Sequence, residues 1–217
     1  MFVGHLAVAL AAKRAAPRAP LAGLVAAAFA LDLIWPVLLL AGLERVRIAP
    51  GITAFTPLDF EHYPWSHSLS MAVIWGVVLG RLSVVRSRKV GGALLIAFVV
   101  ISHWVLDYVT HRPDLPLWPG GPVAGLGLWN SIAGTLAVEG SLFAAAVALY
   151  VRGTRKIRIA GAWSIWTLVA FTTLIWLSGP LSPPPPSERA IAWVGLAMWL
   201  FPLWGAWIDA TRVSAPH

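Results

Sequence analysis

The chain contains no cysteine. Disulfides and thiolate metal sites are therefore excluded, and the redox compartment cannot be read from it. Charge is also scarce. Asp, Glu, Lys and Arg make up 12% of the 217 residues, where soluble domains carry about 25%. A convincing secretory signal is missing too. In "MFVGHLAVALAA" the basic residues Lys13, Arg14 and Arg18 follow the apolar run instead of preceding it. That run is also short of the roughly 20 apolar residues a span needs. It reads as a half-buried or re-entrant N-terminal helix. No internal repeat is visible.

What is abundant is hydrocarbon. Hydrophobic residues reach 59% and mean hydropathy is +0.77, the composition of an integral membrane protein. The length suits one compact bundle over 1–217. A formal charge of +7 would suggest nucleic acid in a soluble protein. Here the basic residues fall in short loops, so the partners implied are anionic membrane lipids, with no nucleic acid.

Six segments are long enough to cross: Leu21–Leu43, Ser66–Val84, Val90–Val109, Leu126–Tyr150, Ile159–Leu177 and Ala190–Ile208. The expected fold is an all-α polytopic bundle of six transmembrane helices plus the short N-terminal helix. Lys13, Arg14, Arg18, Arg81, Arg86, Arg88, Lys89, Arg152, Arg155, Lys156, Arg158 and Arg212 fall on one side. Arg45, Arg47, Arg112 and Arg189 fall on the other. The bias puts both termini in the cytoplasm. "SGPLSPPPPSE" reads as a stiff, extended outer loop. Gly76 and Gly80 form a GxxxG that predicts close helix packing.

Ionisable groups inside a bilayer are costly, so each is a functional candidate. Asp32 falls midway along the first span and Glu139 midway along the fourth. His103 and Asp107, in "SHWVLDYVTH", are i and i+4 and share a helix face. His62 and His67 flank the outer start of the second span in "HYPWSHSL", where Ser66 is placed to cap that helix. His5 lies in the N-terminal helix. His103 and Asp107 form half of a metal site, which His67 and Asp32 can complete, with His62 or His5 as a fifth or supporting group. Nitrogen and oxygen donors without sulfur suit a divalent ion, Zn first, then Mn or Fe. The plainer alternatives are a structural His103–Asp107 hydrogen bond and an interhelix polar contact for Glu139. His111, Arg112, Asp114, Asp59 and Glu61 read as solvated loop, and Asp209 as interfacial.

The order "VGHLAVAL", "AAAFALD", "HYPWSHS", "ISHWVLD", "PLWP" resembles the bacterial membrane-bound metal-dependent hydrolases, inner-membrane proteins of the YdjM type, over roughly residues 1–120. The resemblance implies His5, Asp32, His62, His67, His103 and Asp107 as site residues. It also implies hydrolysis of an ester or phosphoester, with a lipid or lipid-linked substrate as the natural case. His67 and Asp107 would stand at the reacting centre, with His62 as base or phosphate contact. Around Asp32 the chain reads Leu-Asp-Leu where the family often has Pro-Asp-x-Asp. The competing readings are a proton- or cation-coupled permease using Asp32, Asp107 and Glu139, and a non-catalytic scaffold.

Overall fold

A computed structural model describes residues 1–87 and 90–215, so Arg88 and Lys89 of the basic loop lie outside the described residues. The chain is mostly helical. It runs α1 (Phe2–Ala15), α2 (Leu21–Ala28), α3 (Ala30–Leu40), β1 (Arg45–Ile48), β2 (Leu58–His62), α4 (Pro64–His67), α5 (Leu69–Ser87), α6 (Val90–Thr110), β3 (Leu115–Pro116) and β4 (Val123–Ala124). There follow α7 (Ile132–Gly153), β5 (Thr154–Lys156), α8 (Ala160–Ser178), α9 (Glu188–Ala197), α10 (Leu200–Thr211) and β6 (Arg212–Ser214).

Among the described residues, four helical segments are long and apolar enough to cross a membrane: Val90–Thr110, Ile132–Gly153, Ala160–Leu181 and Glu188–Thr211. The bent pair α2–α3 makes a fifth if its halves count as one span. The second expected span differs. The backbone breaks at Ser68, which is extended, and the apolar stretch that follows is only Leu69–Val84. At 1.5 Å per residue that is roughly 24 Å, short of a hydrocarbon core of about 30 Å. Ser66 does not cap this helix; Ser68 does, its Oγ accepting from Met71 N at 3.3 Å.

The fold also departs from all-α. Among the described residues, three two-stranded antiparallel sheets tie the ends of helices together. The β1–β2 pair is bulged, with Arg45 opposite His62 and Arg47 opposite Asp59. The β5–β6 pair joins the end of α7 to the end of α10.

The N-terminal helix is a core element. Val3, His5, Leu6, Ala9 and Leu10 are all buried, and α1 packs against α7, α2 and α6. Helix α5 packs closely on α6 through the expected small residues. A Cβ on Gly80 would sit 2.8 Å from the Ala93 carbonyl, and one on Gly76 3.1 Å from that of Ala97. This approach sets α6, and with it His103 and Asp107, against the rest of the bundle.

Candidate metal centre

Helix α2 ends at Phe29, where the backbone leaves helical geometry (φ −95°, ψ 9°), and α3 continues bent by 54°. In an unbroken helix the Ala28 carbonyl would take the Asp32 N–H. Here it accepts the Nδ1–H of His103 at 2.7 Å. The break also places Asp32 in the first turn of α3, where the helix dipole favours a carboxylate.

A carbonyl can only accept, so the neutral His103 ring carries its proton on Nδ1 and presents a lone pair at Nε2. The same logic holds for His67. Ser66 Oγ donates to Glu44 Oε2 at 2.7 Å, because an ionised carboxylate only accepts. Ser66 Oγ therefore receives the Nδ1–H of His67, also at 2.7 Å, and His67 too presents Nε2 as a lone pair. Glu44 is buried and fixed by Trp65 N and Ser66 N, each 2.8 Å from its Oε1.

These two nitrogens face two carboxylates. His67 Nε2 lies 3.5 Å from Asp32 Oδ1 and 3.9 Å from Asp107 Oδ2. His103 Nε2 lies 3.7 Å from Asp32 Oδ1 and 3.1 Å from Asp107 Oδ2. His103 Nε2 has no aligned hydrogen-bond donor. Four acceptor atoms thus converge in a low-dielectric interior, where unpaired charge is expensive. A tetrahedral ion with bonds of about 2.1 Å separates its ligand atoms by about 3.4 Å. The four His–Asp edges, 3.1–3.9 Å, bracket that value, and Asp32, His67 and His103 form one group within 4.8 Å that does not include Asp107. The donor set is one that can hold a metal ion. Only Asp32, 23% exposed, has appreciable access; Asp107 is 2% exposed.

His5 joins from α1. Its Nε2 is 3.1 Å from Asp107 Oδ1, and its ring stacks on His103 at 3.6 Å and 6°. His5, His103 and Asp107 form one group whose donor atoms lie within 4.8 Å, and Asp32, His67 and His103 form another. The amino group of Met1 also pairs with Asp107 Oδ1.

Of the residues singled out in the sequence, His5, Asp32, His67, His103 and Asp107 come together. His62 does not. It stands exposed at the end of β2, opposite Arg45, although Leu58 and Phe60 of the same strand parity pack against the core. The "THRPD" stretch is not solvated loop. His111 is buried, with Nδ1 3.0 Å from Asp114 Oδ1, and the Tyr63 hydroxyl donates to the same oxygen at 3.0 Å. Burial, and then the Asp114 carboxylate, push the Tyr63 phenol well above its ordinary range. Asp59 is buried between Arg47, 2.5 Å away, and Arg112. This network closes the centre beneath the β1–β2 hairpin. Asp209 stands at the entry to α2, accepting from Ala22 N at 3.1 Å.

Glu44 is the site-supporting residue that sequence reasoning misses. An acidic residue after an apolar run and before Arg45 looks like a loop charge, and its burial comes from a contact 22 residues on. Glu139 reads from sequence as an interhelix contact. It is wholly buried. The Trp129 indole and the Phe2 amide approach it, but neither carboxylate oxygen has a formed hydrogen bond.

Comparison with protein-family models, curated proteins and solved structures finds no match.

Proposed function

We propose that the chain is a metal-dependent hydrolase of the bacterial inner membrane, acting on an ester or phosphoester of a lipid or lipid-linked substrate. The observation that carries this reading is the group of Asp32, His67 and His103, whose donor atoms lie within 4.8 Å of one another, with Asp107 Oδ2 3.1 Å from His103 Nε2. The resemblance of its motifs to the YdjM-type hydrolases points the same way.

In this reading the bundle has six membrane-crossing elements, with α2–α3 bent within the bilayer and α5 the short member, and both termini face the cytoplasm. A divalent ion held by these residues would supply a water of lowered pKa and a Lewis acid for the substrate's phosphoryl or carbonyl oxygen. The protein's own part is positional. Ala28 O and the Glu44–Ser66 pair each hold one imidazole in the tautomer that offers Nε2. Asp32, the exposed ligand, marks the side from which a substrate arrives, and the buried walls around Asp107 and His103 exclude bulk water.

The test is metal analysis of purified protein beside His103→Ala and His67→Ala. Stoichiometric divalent metal, depleted in both variants, supports the reading. A folded wild type that takes up none defeats it. The carboxyl of Glu139, without a formed hydrogen bond, favours one competing reading, a cation-coupled permease. Proton-coupled uptake by proteoliposomes that is lost in Glu139→Gln would establish that instead.

A further inference from the structure

We propose that the cleft between α7 and α8 binds an anionic phospholipid, with one acyl chain lying in the cleft and the phosphate at Arg152. None of the residues that line the cleft belongs to the metal centre, so the site stands independently of that reading.

Helices α7 and α8 are consecutive, long and apolar enough to span, and joined only by residues 154–159. So short a link usually leaves two helices packed as antiparallel neighbours. Here they touch little, and α7 packs on α1 while α8 packs on α10. The space left between them is a groove of about 510 Å³. Phe143, Val147 and Val151 of α7 line it together with Trp166 and Val169 of α8. Gly140 closes the far end. A Cβ there would stand 3.2 Å from the Trp176 ring, so the missing side chain lets the indole seat against α7. The stretch from Gly140 to Arg152 is roughly 18 Å at 1.5 Å per residue. That is a little over half of a hydrocarbon core of about 30 Å, the depth of one leaflet.

An unfilled groove forfeits dispersion contacts along both walls, and apolar walls give water nothing to bond. A hydrocarbon chain suits it. The charge at the mouth selects the headgroup. Arg152 lines the groove, and among the described residues its guanidinium has no ion pair or side-chain hydrogen bond. Arg155 and Lys156 stand exposed on β5, and Arg158, also exposed, follows. No Asp or Glu occurs between Glu139 and Glu188. Cations gathered at a bilayer surface without a local counter-charge favour an anionic headgroup over a zwitterionic one.

The test presents the full chain, purified in detergent, with an equimolar mixture of phosphatidylglycerol and phosphatidylcholine, and reads the retained lipid by native mass spectrometry. One phosphatidylglycerol per chain, held in preference to phosphatidylcholine, is expected. Arg152→Gln should cut that preference about five-fold, the effect of one basic residue at an anionic surface. Ala148→Trp, which fills the groove from an exposed position, should abolish retention. Arg81→Gln, which removes a cation from α5, should leave both unchanged. Phosphatidylglycerol carrying a diazirine at its chain end should crosslink the wild type near Gly140 and Phe143 or near Thr173 and Trp176. No retention, equal retention of the two lipids, crosslinks elsewhere in the chain, or retention indifferent to both groove variants overturns the site. A dimer that Ala148→Trp dissociates also overturns it, since a second copy would then fill the groove. The wild-type crosslinks decide by themselves if the variants do not fold.

Discussion

The two ends of the chain handle buried polarity differently. In α8–α10 buried threonine hydroxyls bond carbonyls of their own helix, although the Trp176 indole has no formed hydrogen bond. Thr172 Oγ1 bonds the Leu168 carbonyl of its own helix, and Thr211 bonds that of Trp207. Arg212, at the end of the bundle, has distant partners, Thr154 and Gly161, and its guanidinium bonds both. From α1 to α6 the partners lie far apart in sequence. His103 reaches Ala28, Ser66 reaches Glu44, and His5 reaches Asp107. These bonds occupy one side of each group and leave lone pairs facing inward. Hydroxyls satisfied within a helix make scaffold, whereas imidazoles and carboxylates held on one side only leave a place for a cation. Glu139 is the exception, an unsatisfied acceptor that α7 contributes to the opposite half.

The contrast can be broken by experiment. The largest effect is expected at Asp107. Asp107→Asn leaves the Met1 ammonium and the facing imidazoles without their carboxylate. We expect metal content to fall to background. We also expect a loss of about 3–5 kcal/mol in stability, as when one partner of a buried pair is removed, measured by chemical unfolding in detergent. An unchanged metal content would erase the distinction between the halves.

Next is Glu44→Ala. It strands Trp65 N, Ser66 N and Ser66 Oγ and frees the His67 tautomer. Metal affinity should drop roughly 10–100-fold, the usual cost of losing a group that orients a ligand, as measured by competition with a chelating dye. Wild-type affinity in a folded variant would mean that Glu44 only anchors the hairpin.

Gly80→Val is a packing test without polar chemistry. Its Cβ would meet the Ala93 carbonyl at 2.8 Å, which forces α5 from α6 at a cost of about 1–3 kcal/mol. The thermal midpoint should fall, with metal content retained in the fraction that stays folded. The smallest effect is expected at Thr172→Val in the distal half. That hydroxyl serves only its own helix, so the change should be under about 1 kcal/mol, with metal content the same as wild type.

Much of the centre is legible in the amino-acid order. His103 and Asp107 share a face by helical spacing alone, and the cost of charge in a bilayer draws attention to Asp32 and Glu139. Gly76 and Gly80 mark where α5 and α6 approach. The break between α2 and α3 is not legible. "AAAFALD" has neither Gly nor Pro at Phe29, and Pro36, inside α3, is a full turn beyond Asp32. His111 looks solvated because its neighbours in sequence are polar, and Asp59 because it falls in the loop between expected spans. Their burial comes from Tyr63 and Arg47, residues distant in sequence that the hairpin returns to them.

The sequence by itself determined the solvent, a bilayer, because so apolar a chain with so little charge has no other stable environment. It also determined the donor chemistry, imidazole and carboxylate without thiolate, because cysteine is absent. Which donors meet was decided by tertiary structure. Their positions depend on α1 being enclosed by its neighbours, on the bend at Phe29 and on the break at Ser68. Each of these is set by packing between segments and not by the residues at the break. That is also why His62, as polar as His67 and five residues before it, faces outward while His67 faces the carboxylates.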